Sequence, residues 1–179
     1  DRCLSRGLGD VYKRQGTIQP HTFSDNTVCI TDMFQTIADL LVSNVPPFAA
    51  EDSASFLPAL YGEPIPDARN GLIHASISGH FGYRSGDWKL LLARGSGGWT
   101  APKEAQAKKE KLPAFQLYDI TADPGELDNL ESEHRDIAEQ LFHFLETDID
   151  RGRSTEGSSS ANDTDTIELW KSGKAVPAL

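Results

Sequence analysis

The chain has 179 residues, 38% of them hydrophobic and 25% charged, which allows one modest core and an ordinary globular surface. Its 27 acidic against 17 basic residues give a net charge of -10, a balance that repels nucleic acid and anionic membranes at long range. No apolar run approaches the ~18 residues of a membrane span, and the first residues lack an export-signal pattern.

Residues 1–15 are basic within an acidic chain and carry neither helical nor strand periodicity. They read as a non-native leader, a translated cloning scar, and are set aside. From Thr31 the pattern becomes helical: Thr31 as cap, Asp32 in the first turn, then Phe34, Ile37, Ala38 and Leu41 along one apolar face. Asn44 to Pro47 stops that helix, since proline lacks a donor and disfavours helical geometry before it. Leu72 to Ser78 is β-forming, and Phe81 to Arg84 continues it, with a bulge expected at Gly79 and His80. The turn Ser85-Gly86-Asp87 leads into a second strand, Trp88 to Ala93, so the two form a hairpin.

Gly95 to Trp99 reads as a flexible loop and Lys103 to Lys111 as a solvated, charged insertion. Gln116 to Ile120 is a third strand, closed by the turn Asp123-Pro124-Gly125-Glu126. Ile137, Ala138, Leu141, Phe144 and Leu145 then mark a helix starting after Ser132, apolar on one face. Beyond Asp150 the composition is polar, so 151–179 is expected to be a poorly ordered tail. The fold class is α+β: a small antiparallel sheet with a packed C-terminal helix.

The order Glu51-Asp52-Ser53-Ala54-Ser55-Phe56-Leu57-Pro58, Tyr83-Arg84-Ser85-Gly86-Asp87-Trp88-Lys89-Leu90, Gln116-Leu117-Tyr118-Asp119, Asp123-Pro124-Gly125-Glu126 and Asn129-Leu130 resembles the C-terminal part of bacterial sulfatases. The Gly95-Ser96-Gly97-Gly98-Trp99 loop and Gly152-Arg153-Ser154-Thr155 are similar to the arylsulfatase A type among them. The resemblance implies that 16–150 is the C-terminal subdomain, with the end of the N-terminal domain, of an alkaline-phosphatase-like α/β enzyme, a sulfuric ester hydrolase acting on aryl or carbohydrate sulfates. It also implies a formylglycine nucleophile and a calcium ion, both supplied outside this segment, so that the segment alone is inactive. A periplasmic or secreted location follows from the same likeness. The other readings are a phosphatase or phosphonate hydrolase on the same scaffold, and a non-catalytic glycan-binding module.

The residues themselves carry little chemistry. After Cys3 the +2 residue is Ser5 but +4 is Gly7, and after Cys29 these positions are Thr31 and Met33, so neither cysteine fits a formylglycine motif ending in arginine. The five histidines form no tight ligand set, and no catalytic or metal-ligating residue is assigned. His80 and His74 are the candidates for contact with substrate, an imidazole being able to bond a hydroxyl or a sulfate oxygen. Trp99 reads either as a stacking face for a sugar or aryl ring or as an exposed turn aromatic. Arg84 and Lys89 are expected to pair with Asp87 or Asp119 across the hairpin. Trp88, Leu90 and Leu92 point to one side of a sheet covered on both faces.

Overall fold

The computed structural model describes residue 16 and residues 18–171, so the leader assigned to 1–15 and Cys3 lie outside the described residues. The chain divides into a unit ending at Asp67 and a unit beginning at Ala68. No helix among the described residues is long and apolar enough to cross a membrane.

The first unit holds α1 (Asp32–Leu40) and the single turn α2 (Leu57–Leu60). The position of α1 follows the sequence pattern, but its orientation reverses it. Asp32, Thr36 and Ala38 are buried, whereas Phe34, Ile37 and Leu41 are exposed. The reason is the backbone of the adjoining loops, whose N–H groups need acceptors. Asp32 accepts from Cys29 N (2.8 Å) and Ala54 N (2.9 Å), and Thr36 Oγ1 accepts from Phe56 N (3.0 Å). Ser53 Oγ donates to Thr31 O (2.8 Å) and accepts from Gln35 N (2.9 Å). Thr31 itself makes no side-chain cap, contrary to expectation; its backbone is already helical and its hydroxyl lies 2.7 Å from Cys29 Sγ.

The second unit is built on β1 (Leu72–Ala75), β2 (Phe81–Ser85), β3 (Trp88–Leu91) and β4 (Gln116–Asp119), with the short α3 (Glu104–Lys109) and the long α4 (Arg135–Arg151). The strands pair antiparallel in the order β1-β2-β3-β4. One strand with a bulge was the expectation for 72–84; two strands are found, because the chain reverses at Ser76–His80. Gly79 N donates to Ser76 O (2.9 Å), Ser76 N donates to His80 O (2.9 Å), and Gly79 takes φ +77°, a region where glycine has no steric cost. The β2–β3 hairpin is as read, turning at Gly86.

Alternation along the strands puts Tyr83, Leu90 and Leu117 on one face, where they meet Ala138, Leu141 and Leu145 of α4 in the core. Tyr83 Oη donates to Asp148 Oδ2 (2.8 Å), a bond between α4 and the sheet; burial and that carboxylate push the phenol far above its usual range. Trp88 packs on His134, ring centroids 5.1 Å apart. The chain is thus α+β, a small antiparallel sheet with a packed helix.

Two low-complexity expectations differ from the structure. Within 103–111, Glu104–Lys109 is helical with Ala107 buried, and Glu104 accepts from Arg94 N (3.0 Å) and Gly95 N (2.7 Å). After α4, Gly152 in the left-handed conformation ends the helix, and Arg153, Ser154 and Thr155 are buried. The guanidinium of Arg153 donates to Thr155 O (3.2 Å) and Ser158 O (3.0 Å), which gives this polar stretch the backbone partners its composition conceals.

Candidate functional site

A cleft of about 340 Å³ opens in the second unit between the β1–β2 turn and the loop before α3, lined by Ser78, His80, Trp99, Lys103 and Glu104 among others. His80 enters it from the turn rather than from a bulge. Its ring is buried, and its Nδ1 lies 3.1 Å from the carbonyl oxygen of Leu92. A carbonyl only accepts, so Nδ1 carries a proton and Nε2 is the nitrogen left for other partners. At Nε2 a neutral ring accepts from a hydroxyl and a protonated one donates to a sulfate oxygen.

The glycine-rich loop is tied down by more bonds than its composition suggests. Ser96 Oγ donates to Thr100 O (2.8 Å), Lys103 Nζ donates to Gly98 O (2.9 Å) and Trp99 O (2.5 Å), and Gln116 Nε2 donates to Gly95 O (2.7 Å). The backbone is held while the Trp99 side chain stands 82% exposed. An exposed indole on a fixed loop beside a buried imidazole suits a ring with hydroxyls, since the two supply a stacking face and a hydrogen-bond acceptor.

His74 is not brought to this cleft. It lies on β1 opposite Gly82 of β2, with its ring over that residue: a Cβ at Gly82 would fall 2.4 Å from His74 Nε2. Partial desolvation there lowers its pKa below 6.5, reinforced by Lys89 and Arg84 and opposed by Glu126 and a hydrogen bond with Leu72 backbone. A base whose folded pKa is lowered binds fewer protons than in the unfolded chain, so its stabilising share is complete above the unfolded pKa and lost as pH falls. His74→Gln should therefore show a smaller loss of stability between about pH 7.5 and about pH 5.5 than the unaltered chain in urea titrations. Equal losses would place the acid sensitivity elsewhere.

The expected ion pairs of the hairpin are replaced by another. Lys89 Nζ bonds both oxygens of Glu126 (2.5 and 2.7 Å), while Asp87 accepts from Thr121 Oγ1 (2.7 Å) and Asp119 from Thr121 N (3.0 Å). Sequence reasoning singled out His80 and Trp99, which line the cleft, and passed over Lys103 and Glu104, which look like part of a solvated charge run. The signal for them is positional: both border the Gly-Ser loop that they fasten.

Neither formylglycine nor calcium fits the described residues. Cys29 is followed by Thr31 and Met33, and its thiol contacts the Thr31 hydroxyl. Among the described residues no three His, Cys, Asp or Glu side chains cluster as cation ligands.

No family model matches the chain. Over 116 residues it is 27% identical to an N-acetylgalactosamine-6-O-sulfatase of Bacteroides thetaiotaomicron, covering 65% of this chain and 22% of that protein. A solved 6S-sulf structure, described with the metabolism of multiple glycosaminoglycans by Bacteroides thetaiotaomicron, superposes with a TM-score of 0.50 at 26% identity, covering 65% of this chain and 24% of that one. The chain therefore spans less than a quarter of the length of these relatives. Similar in fold and in sequence over that part, it is a sulfatase-like segment.

Proposed function

We propose that this chain is the part of a sulfuric ester hydrolase that holds the glycan of a sulfated carbohydrate, the His80–Trp99 cleft taking a sugar ring. The observation that carries the reading is the 116-residue match to a sulfatase of N-acetylgalactosamine. The cleft agrees with it chemically: Nε2 of His80 suits a sugar hydroxyl, and the fixed, exposed Trp99 suits the apolar face of a pyranose. Ester cleavage belongs to residues outside this segment, which in the full enzyme would provide formylglycine and calcium.

On this reading the 179-residue chain alone turns over no sulfate ester, and an enzyme that joins it to a formylglycine-bearing domain hydrolyses a 6-sulfated amino sugar. In that enzyme, His80→Ala should cost about 1–3 kcal/mol in kcat/KM, the range for one lost hydrogen bond. Trp99→Ala should act chiefly on KM. Unchanged kinetics in both variants would remove the cleft from substrate binding, and turnover by the isolated chain would reveal a nucleophile among its own residues.

A further inference from the structure

The first unit shows an apolar surface that its own fold does not use. Ile30, Met33, Phe34, Ile37 and Leu41 follow one another at the spacing of one helical face, and each is exposed, whereas Asp32 and Thr36 are buried on the opposite side of α1. Single exposed apolar residues need no explanation. Five in one stripe, with an aromatic and a methionine among them, have the make-up of an interface core. Among the described residues of this unit Ala38 is the one hydrophobic side chain that is buried, and nine residues of helix are too few to be stable without tertiary packing. In this chain α1 is held by the polar bonds of Asp32, Thr36 and Ser53 on its inner side. A helix secured by polar bonds on one side and apolar towards solvent on the other is built to be completed from outside the unit.

Charge narrows what completes it. Residues 16–67 carry seven acidic side chains, Asp25, Asp32, Asp39, Glu51, Asp52, Glu63 and Asp67, and no Lys or Arg. A second copy of the chain would bring its own net charge of -10 against this unit, so self-association through the stripe is opposed. An apolar surface with basic side chains around it is favoured. The chain covers 22% and 24% of the two sulfatases matched above, so most of the length of each is there to supply such a surface. We infer that the stripe from Ile30 to Leu41 is a docking face for the formylglycine-bearing domain, an apolar patch rimmed by Lys and Arg closing over Phe34 and Ile37. The identity of that partner rests on the function proposed above; the face itself does not.

The double variant Phe34→Gln, Ile37→Gln removes the apolar surface while keeping good helix formers at both positions. In the 179-residue chain it should leave the urea midpoint unchanged, since both side chains face water, and sedimentation should find a monomer with or without it. In the enzyme that joins the chain to its own formylglycine-bearing domain, it should lower the thermal midpoint by about 5 °C, because two large side chains are then buried. Leu127→Gln, at an exposed apolar position in the second unit, is the control and should change neither. The amides of Ile37 to Leu41 should exchange about tenfold more slowly in the joined enzyme than in the chain. An unchanged midpoint in the joined enzyme, or equal exchange in both, would overturn the docking face. So would a lowered urea midpoint in the isolated chain, which would mean that the face is already covered there, or a dimer that the double variant dissociates. Turnover of a sulfate ester by the joined enzyme tests the function separately. Hydrolysis with an unchanged midpoint sinks the docking face alone, and a lowered midpoint without hydrolysis keeps the face and sinks the function.

Discussion

Leu141→Ala is expected to destabilise the second unit by about 2–5 kcal/mol, the range for truncating a buried leucine where the surroundings cannot fully collapse. Leu141 is 3% exposed on the inner face of α4 and belongs to the cluster that joins the helix to Tyr83, Leu90 and Leu117 of the sheet. Its neighbours limit relaxation, because the bond from Tyr83 Oη to Asp148 fixes the helix at its far end. A urea titration followed by tryptophan fluorescence reads the effect, since Trp88 and Trp170 both pack beside this core. Glu139→Ala, an outward position on the same helix, is the matched control. A Leu141→Ala loss no larger than that control would show that α4 does not hold the sheet.

The same reasoning explains which parts of the fold the sequence discloses. In α4 the apolar stripe and the buried stripe coincide at Ala138, Leu141 and Leu145, so periodicity gives both the helix and its inward face. In α1 the stripe was equally regular, yet the helix buries Asp32 and Thr36 instead. Periodicity measures the arrangement of apolar residues along one element; it contains nothing about which neighbouring loops need hydrogen-bond acceptors. The strand pair at 72–85 was misread for a related reason. Gly79 announces a backbone irregularity in either case, and only the bonds that Ser76 Oγ accepts from Ser78 N and His80 N distinguish a reversal from a bulge.

The candidate site was legible to the extent that side-chain chemistry is local. His80 and Trp99 declare themselves by residue type, and both reach one cleft. His74, equally conspicuous in sequence, is carried to the sheet face by strand alternation, and the separation depends on register. Lys103 and Glu104 were hidden because their task is to hold backbone, a role that a charged run does not advertise. The loop they fasten is the element that presents Trp99, so a sequence reading singles out the exposed aromatic and misses what positions it.

Asp32→Ala should have the largest effect in the first unit, about 2–6 kcal/mol, by leaving two loop N–H groups without acceptors at roughly 1–3 kcal/mol each. Asp32 is fully buried and bonds Cys29 N and Ala54 N with its two carboxylate oxygens, one on either side of α1. These bonds also give the run Glu51 to Pro58 a physical role. Within it Ser53, Ala54 and Phe56 are the residues whose side chain or backbone N–H binds α1 or its preceding turn, so the run clasps the helix. Asp32→Asn, retaining one acceptor oxygen, should fall between alanine and the unaltered chain. Hydrogen exchange separates this effect from a general loss of stability: the amides of Cys29 and Ala54 should exchange faster in Asp32→Ala, while those of β2 and β3 in the second unit keep their rates. Uniformly faster exchange in both units would refute the local clasp. Unchanged protection at Cys29 and Ala54 would show that their hydrogen bonds to Asp32 contribute nothing to holding the loops against α1.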